Sequence, residues 1–262
     1  MRYLNRILMM LIVFVALGAG SATAADRDKL LSEPGVYGTF AVFQVDQDWW
    51  KLDKAARTAA ATEVKEVFRK HVERVAIDTY LLRGLSEKAD FFVRIHSAEL
   101  VHSQDFLLDL MGTTLGRHMK NTVSLTGITK KLNYVPGFSD EVKAALKAPS
   151  DPGPRPYAIV IPIRKDAAWW SSDQETRTAR MKEHTMASIP YLKTVKRKLY
   201  HASGLDDVDF ITYFETAKLD DFNNLIIALE QVQENRHNAQ FGAPTLLGTV
   251  RSLDDILAVL TR

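Results

Sequence analysis

The sequence predicts an α+β fold of two tandem ferredoxin-like units forming an α+β barrel, on three observations: a duplicated pattern, a repeated order of elements, and a Pro-rich seam between the copies. Gly38 to Trp50, GTFAVFQVDQDWW, aligns without a gap on Ala158 to Trp170, AIVIPIRKDAAWW, about 120 residues later. Each is an apolar strand, a polar turn and a Trp pair. Gly84-Leu85 then matches Gly204-Leu205, and with a one-residue slip ADFFVRIHSAELVHSQDFLLDL tracks VDFITYFETAKLDDFNNLIIAL. Whatever only one copy carries is a candidate for function.

Residues 1–24 stand outside this pattern. Arg2 and Arg6 precede an apolar run from Ile7 to Leu17 and small residues ending in Ala22-Thr23-Ala24, the charge, length and cleavage pattern of a secretory signal peptide. The run is too short to cross about 30 Å of hydrocarbon comfortably as an anchor. The arginines are not paired, so export unfolded through the general pathway is expected, with a periplasmic mature chain starting at Ala25. Removing the segment deletes two Arg and no acid, and the 34 basic residues become 32 against 32 acidic. A neutral balance gives no electrostatic footprint for nucleic acid or anionic lipid. The absence of Cys excludes disulfides, iron–sulfur clusters and thiolate haem ligation.

The N-terminal unit, residues 25–147, starts with a strand at Tyr37–Val45. A helix over Asp53–Val72 follows, from the helical spacing of Val64, Val67, Phe68, His71 and Val72. Strands at Val75–Leu82 and Asp90–His96 flank the turn Gly84–Lys88, and a helix runs over about Ser103–Met111. Thr113–Lys147 reads as an insertion without counterpart, holding a short helix and the loop Asn133-Tyr134-Val135-Pro136-Gly137. Residues 148–156, APSDPGPRP, hold four of the nine Pro and read as a stiff linker.

The C-terminal unit, residues 157–262, repeats the order. It predicts a strand at Tyr157–Ile163, a helix opened by the capping box Ser172-Asp173-Gln174-Glu175 and ended by Pro190, strands at Lys193–His201 and Asp209–Phe214, and a helix from Asp220 to about Arg236.

The copies differ in chemistry. His184 shares the inward stripe of its helix with Met181 and Ala187, where the first copy has Val64. Arg197 lies on the apolar side of its strand with Val195 and Leu199, where the first copy has Ile77. Each replaces an aliphatic residue on the core side of neighbouring elements, which is costly unless something occupies the space between them. A core His satisfied by hydrogen bonds and an Arg at an interface are the plain alternatives. His71, His96, His102, His118 and His237 show no HExxH or His-rich spacing, so no zinc site is predicted. Neither GxSxG, GxGxxG nor a P-loop occurs. Met181 and Met186 read as core fillers.

These residues resemble the chlorite dismutase family of haem proteins, in its long-subunit, exported branch. The resemblance covers essentially the whole mature chain. It is carried by IRKDAAWW with Lys165, Trp169 and Trp170, the helix of His184, the strand VKRKLY with Arg197, and the helix ending QVQEN with Glu234. It implies that His184 is the proximal ligand of the iron of haem b, with Glu234 accepting its other ring proton, and that Arg197 is the distal catalytic residue. Asn133, Tyr134, Val135, Lys165, Trp169 and Trp170 are then expected to hold the haem, Lys165 as a point charge for a propionate. Glu230, one turn from Glu234, is the rival if the helix phase differs, and the Trp pair recurs as Trp49-Trp50, so part of its task is packing. The implied activity is decomposition of chlorite to chloride and dioxygen through ferryl iron and transient hypochlorite. The implied assembly is a homopentamer. A related haem peroxidase, a coproporphyrin-haem decarboxylase and a non-catalytic periplasmic haem-binding protein are the alternatives on the same fold.

Overall fold

A computed structural model describes residues 25–32, 34–131, 135–147 and 150–262, so the expected signal peptide, Asn133 and Tyr134 lie outside the described residues. The first unit runs α1 (Arg27–Ser32), β1 (Tyr37–Val45), α2 (Lys54–His71), β2 (Val75–Leu81), β3 (Phe91–Ser97), α3 (Leu100–Gly112), α4 (Thr114–Arg117), β4 (Met119–Ile128) and α5 (Asp140–Lys147). The second runs β5 (Tyr157–Lys165), α6 (Ala167–Ser171), α7 (Gln174–Ser188), β6 (Val195–His201), β7 (Phe210–Thr216), α8 (Leu219–Glu230), β8 (Asn238–Phe241), β9 (Leu246–Val250) and α9 (Leu253–Leu260).

The strands lie in the order β7-β6-β4-β1-β3-β2-β9-β5, and β5 pairs back onto β7, so the sheet closes. Within it β4-β1-β3-β2 is one ferredoxin-like sheet and β9-β5-β7-β6 is its counterpart. The seams are the antiparallel contacts Tyr80↔Val250 with Leu81↔Thr249, and Ile128↔His201. β8 pairs with Ile163–Lys165 on the same edge of β5 that β9 occupies at Tyr157–Val160. The duplication is visible in register: Tyr37 faces Ser97 and Tyr157 faces Thr216, which reproduces the one-residue slip.

β4 corrects one expectation. Thr113–Lys147 is not wholly an insertion, because β4 is the fourth strand of the first unit, matched by β8 and β9 in the second. Its polar-rich sequence MKNTVSLTGI buries only Met119, Leu125 and Gly127, too sparse an alternation to read as a strand. Two helix termini also differ. The cap of α7 is Asp173, whose carboxylate accepts from Thr176 N at 2.7 Å, whereas Ser172 Oγ bonds back to Ala168 O. α8 stops at Glu230 rather than near Arg236. The segment after it carries a polar run in which Val232 is the buried apolar residue, too little apolar surface to extend the stripe.

Both faces of the barrel wall are covered, which explains strands such as β1 that are buried along nearly their whole length. Phe40, Val42, Tyr80, Phe92, Tyr200 and Tyr213 fill the interior, while Ala41, Phe43 and Val45 point outward into the core under α2, α3 and α9. Gly38 makes room for the Tyr200 ring, since a Cβ there would collide with it. The buried Arg94 inside the barrel is paired with Asp78 at 2.7 Å and lies 3.7 Å above the Tyr213 ring, which satisfies a charge that would otherwise be costly.

Candidate functional site

The second unit holds a cavity of about 680 Å³ between α7, α8 and the outer face of β5, β6 and β7, within the range of about 300–1,000 Å³ typical of small-molecule and cofactor sites. Its walls include Ile163, Leu199, Phe210, Phe214, Leu225 and Leu229. The matching space in the first unit is closed. There α9, although last in the chain, returns beside β2 because β9 joins that strand, and Ile256, Leu257 and Leu260 pack against Val64 and Leu115. About 10 Å³ remains. The Trp pairs divide accordingly. Trp49 is buried and its indole donates to Leu260 O at 2.8 Å, a packing role, whereas Trp169 and the exposed Trp170 line the cavity.

His184 projects from α7 to the cavity wall, and its Nδ1 lies 2.8 Å from Glu234 Oε2. The segment after α8 brings Glu234 there: it leaves the helix, and Gln233 N donates to Glu183 Oε2 of α7 at 3.1 Å. Glu230 is exposed and bonds Asn235 instead, so Glu234 is the carboxylate behind His184. Burial acts to raise the Glu234 carboxyl, but the hydrogen bond and charge of His184 and the charge of Lys165 outweigh it and hold it at about 2. An ionised carboxylate only accepts. Nδ1 of His184 is therefore the donor, which leaves Nε2 as the ring nitrogen available to a metal.

Lys165 also reaches the cavity wall. Its buried ammonium bonds Glu234 Oε1, Glu234 O at 3.3 Å and Asn238 Oδ1 at 2.6 Å, and sits 4.7 Å from the centre of the Trp169 ring. An ammonium has three donors, and the bonds it makes here tie it to the carboxylate behind His184. Burial draws the group below the ordinary Lys value against the opposing charge of Glu234. Arg197 lies exposed on the cavity wall, on the β6 face that also presents Leu199 and His201. Lys130, Lys131 and Arg177 line the same space, cationic groups that the duplicated pattern did not single out because loops and helix rims are free to vary. Val135 opens a short turn and is not among the lining residues. Met181 lines the cavity as a filler would, but Met186 is exposed, contrary to expectation.

A buried carboxylate–imidazole pair, an apolar slot and a cationic rim fit haem: a nitrogen for iron, apolar walls for the macrocycle and positive charge for its acidic groups. Among the described residues no cluster of three or more His, Cys, Asp or Glu could hold a bare metal ion.

A family model described as chlorite dismutase matches residues 57–251. The chain is 43% identical over 241 residues to a chlorite dismutase of Ideonella dechloratans, covering 91% of this chain and 85% of that one. It is 28% identical to a coproheme decarboxylase of Mycolicibacterium smegmatis, covering 86% of this chain and 94% of that one. A structure of chlorite dismutase from Candidatus Nitrospira defluvii in complex with imidazole superposes with a TM-score of 0.89 at 56% identity, over 91% of this chain and all of that one. With a family model covering most of the chain and similarity at this level along nearly its whole length, the chain belongs to the chlorite dismutase family.

Proposed function

We infer that this chain is a haem enzyme that decomposes chlorite to chloride and dioxygen. The observation that carries the reading is the cavity of the second unit, filled at the matching place among the described residues of the first, with His184 presented to it by an ionised Glu234. When bound, haem supplies an iron centre able to exchange an oxygen atom with an oxyanion. His184 would hold the iron through Nε2, and Glu234 accepts the Nδ1 proton in a hydrogen bond, which fixes the ring and would strengthen its donation. Trp169, Trp170 and the apolar walls exclude water around the reacting anion.

The overall conversion of chlorite to chloride and dioxygen consumes no net proton, so the residue facing the substrate need not be a base. Arg197 suits this role because its guanidinium stays charged at ordinary pH and offers anion hydrogen bonds without a transferable proton. It would attract chlorite and keep the hypochlorite left after loss of one oxygen inside the cavity, so that the single oxygen–oxygen bond of dioxygen forms before the oxidant escapes. Asn133, Tyr134 and Val135 are further candidates for contact with the haem edge. We further propose haem b as the cofactor, a closed ring of five chains, and a mature periplasmic protein starting at Ala25. The supports are the family resemblance and the sequence of residues 1–24. Light scattering of the purified protein and mass spectrometry of its N-terminus test the last two.

The deciding experiment is an oxygen-electrode trace with chlorite, run beside the absorption spectrum of the haem-loaded protein. Rapid oxygen release, lost together with haem in His184→Ala, is expected. Peroxidase turnover without oxygen, or decarboxylation of iron coproporphyrin as the main activity, would overturn the assignment.

A further inference from the structure

The same comparison of copies that singles out His184 and Arg197 finds one more exchange, visible only in the paired strands. In the first unit Val45 of β1 faces Met119 of β4; in the second, Lys165 of β5 faces Asn238 of β8. An apolar pair has become a polar one at the same point of the fold. A register shift between Arg164 and Lys165 brings Asn238 opposite Lys165, the kind of re-aiming for which strand irregularities next to active sites are known.

The hydrogen bonds around this pair run in one direction. Glu230 Oε2 accepts from Asn235 Nδ2 at 3.2 Å, Asn235 Oδ1 accepts from Asn238 Nδ2, and Asn238 Oδ1 accepts from Lys165 Nζ at 2.6 Å. Lys165 then donates to Glu234, and His184 Nδ1 lies at the other oxygen of that carboxylate. A carboxylate at one end can only accept and an ammonium at the other can only donate. Neither amide can therefore turn over without breaking two bonds.

We propose that Asn238, held by Asn235, is a positioning residue that aims the Lys165 ammonium at Glu234 and thereby sets how much of the Glu234 charge reaches His184. The proposal rests on the reading of His184 as the haem ligand. If Lys165 is drawn away, Glu234 accepts the His184 proton more strongly, the imidazole becomes a better donor, and the iron is harder to reduce. With Lys165 fully committed to Glu234, the opposite holds.

Two variants separate this from a general packing role. Asn238→Asp keeps the shape and offers Lys165 a competing carboxylate; Asn238→Leu keeps the volume and removes the acceptor. In the haem-free protein, imidazole nitrogen shifts report the strength of the His184–Glu234 bond. In the haem-loaded protein, the iron reduction potential and the iron–imidazole stretching frequency report the same bond. Asn238→Asp is expected to strengthen the bond, move the potential negative and raise the stretching frequency. These changes should shrink in a Lys165→Met background to the direct effect of the added charge, because the route through Lys165 is gone. Asn238→Leu should move the three readouts away from their wild-type values only while Lys165 is present. Unchanged readouts in both variants, or shifts of undiminished size without Lys165, would overturn the proposal. If His184→Ala leaves the haem spectrum unaltered, the ligand assignment fails instead, and the haem-free measurement still decides on Asn238.

Discussion

Replacing Glu234 by Gln tests the electrostatics of the site without haem. The carboxyl is held at about 2 against an ordinary 4.5, and each factor of ten in proton affinity is worth about 1.4 kcal/mol. Its hydrogen-bonding and charged partners therefore contribute about 3 kcal/mol of stability once the carboxyl is ionised. A depressed carboxyl binds fewer protons in the folded state, so this stability is fully present above 4.5 and is lost as pH falls toward 2. About half should remain at pH 3. In Glu234→Gln the buried Lys165 loses its counter-charge, and breaking such a pair from one side costs about 3–5 kcal/mol. Urea unfolding of haem-free wild type and variant across pH 7 to 3 should show a gap of roughly 3 kcal/mol that narrows on acidification. The double variant Glu234→Gln with Lys165→Met should regain part of the loss, because no buried charge is left unpaired. A gap that is absent at neutral pH, or that stays constant down to pH 3, would refute the reasoning.

Three other outcomes are expected. Arg197→Ala should retain haem and some initial oxygen release but inactivate after fewer turnovers, with added methionine yielding more sulfoxide than with wild type. Equal sulfoxide and equal total turnovers would remove its retention role. Saturation with haem should give one haem per chain, and Leu257→Ala, in the packed counterpart of the cavity, should lose about 2–5 kcal/mol in urea unfolding without changing that ratio; two haems per chain would contradict the asymmetry. Gly38→Ala, whose Cβ would meet the Tyr200 ring, should destabilise by about 1–3 kcal/mol, and an unchanged unfolding midpoint would show that the barrel interior can give way there.

The sequence by itself determined the duplication, the six strands carried by apolar patterning, and the two exchanges Val64 to His184 and Ile77 to Arg197. These are legible because they depend on periodicity within single elements and on alignment of one copy against the other. Strand β4 escaped because its alternation is diluted by Lys120, Asn121 and Thr122, and its place is fixed by neighbours β1 and β6. Glu234 was found through the resemblance, but its expected helical setting was wrong, since the break after Glu230 is what turns it toward α7. Lys165 and Asn238 were decided by tertiary structure alone: they lie 73 residues apart, and only pairing across β5 and β8 commits the ammonium to Glu234. That one unit keeps a cavity while the other fills the matching space depends on where α9 docks, and that follows from which strand β9 joins. Contacts across such separations leave no periodic trace in the chain, so the sequence marks which side chains are out of place while the closed barrel decides what each of them meets.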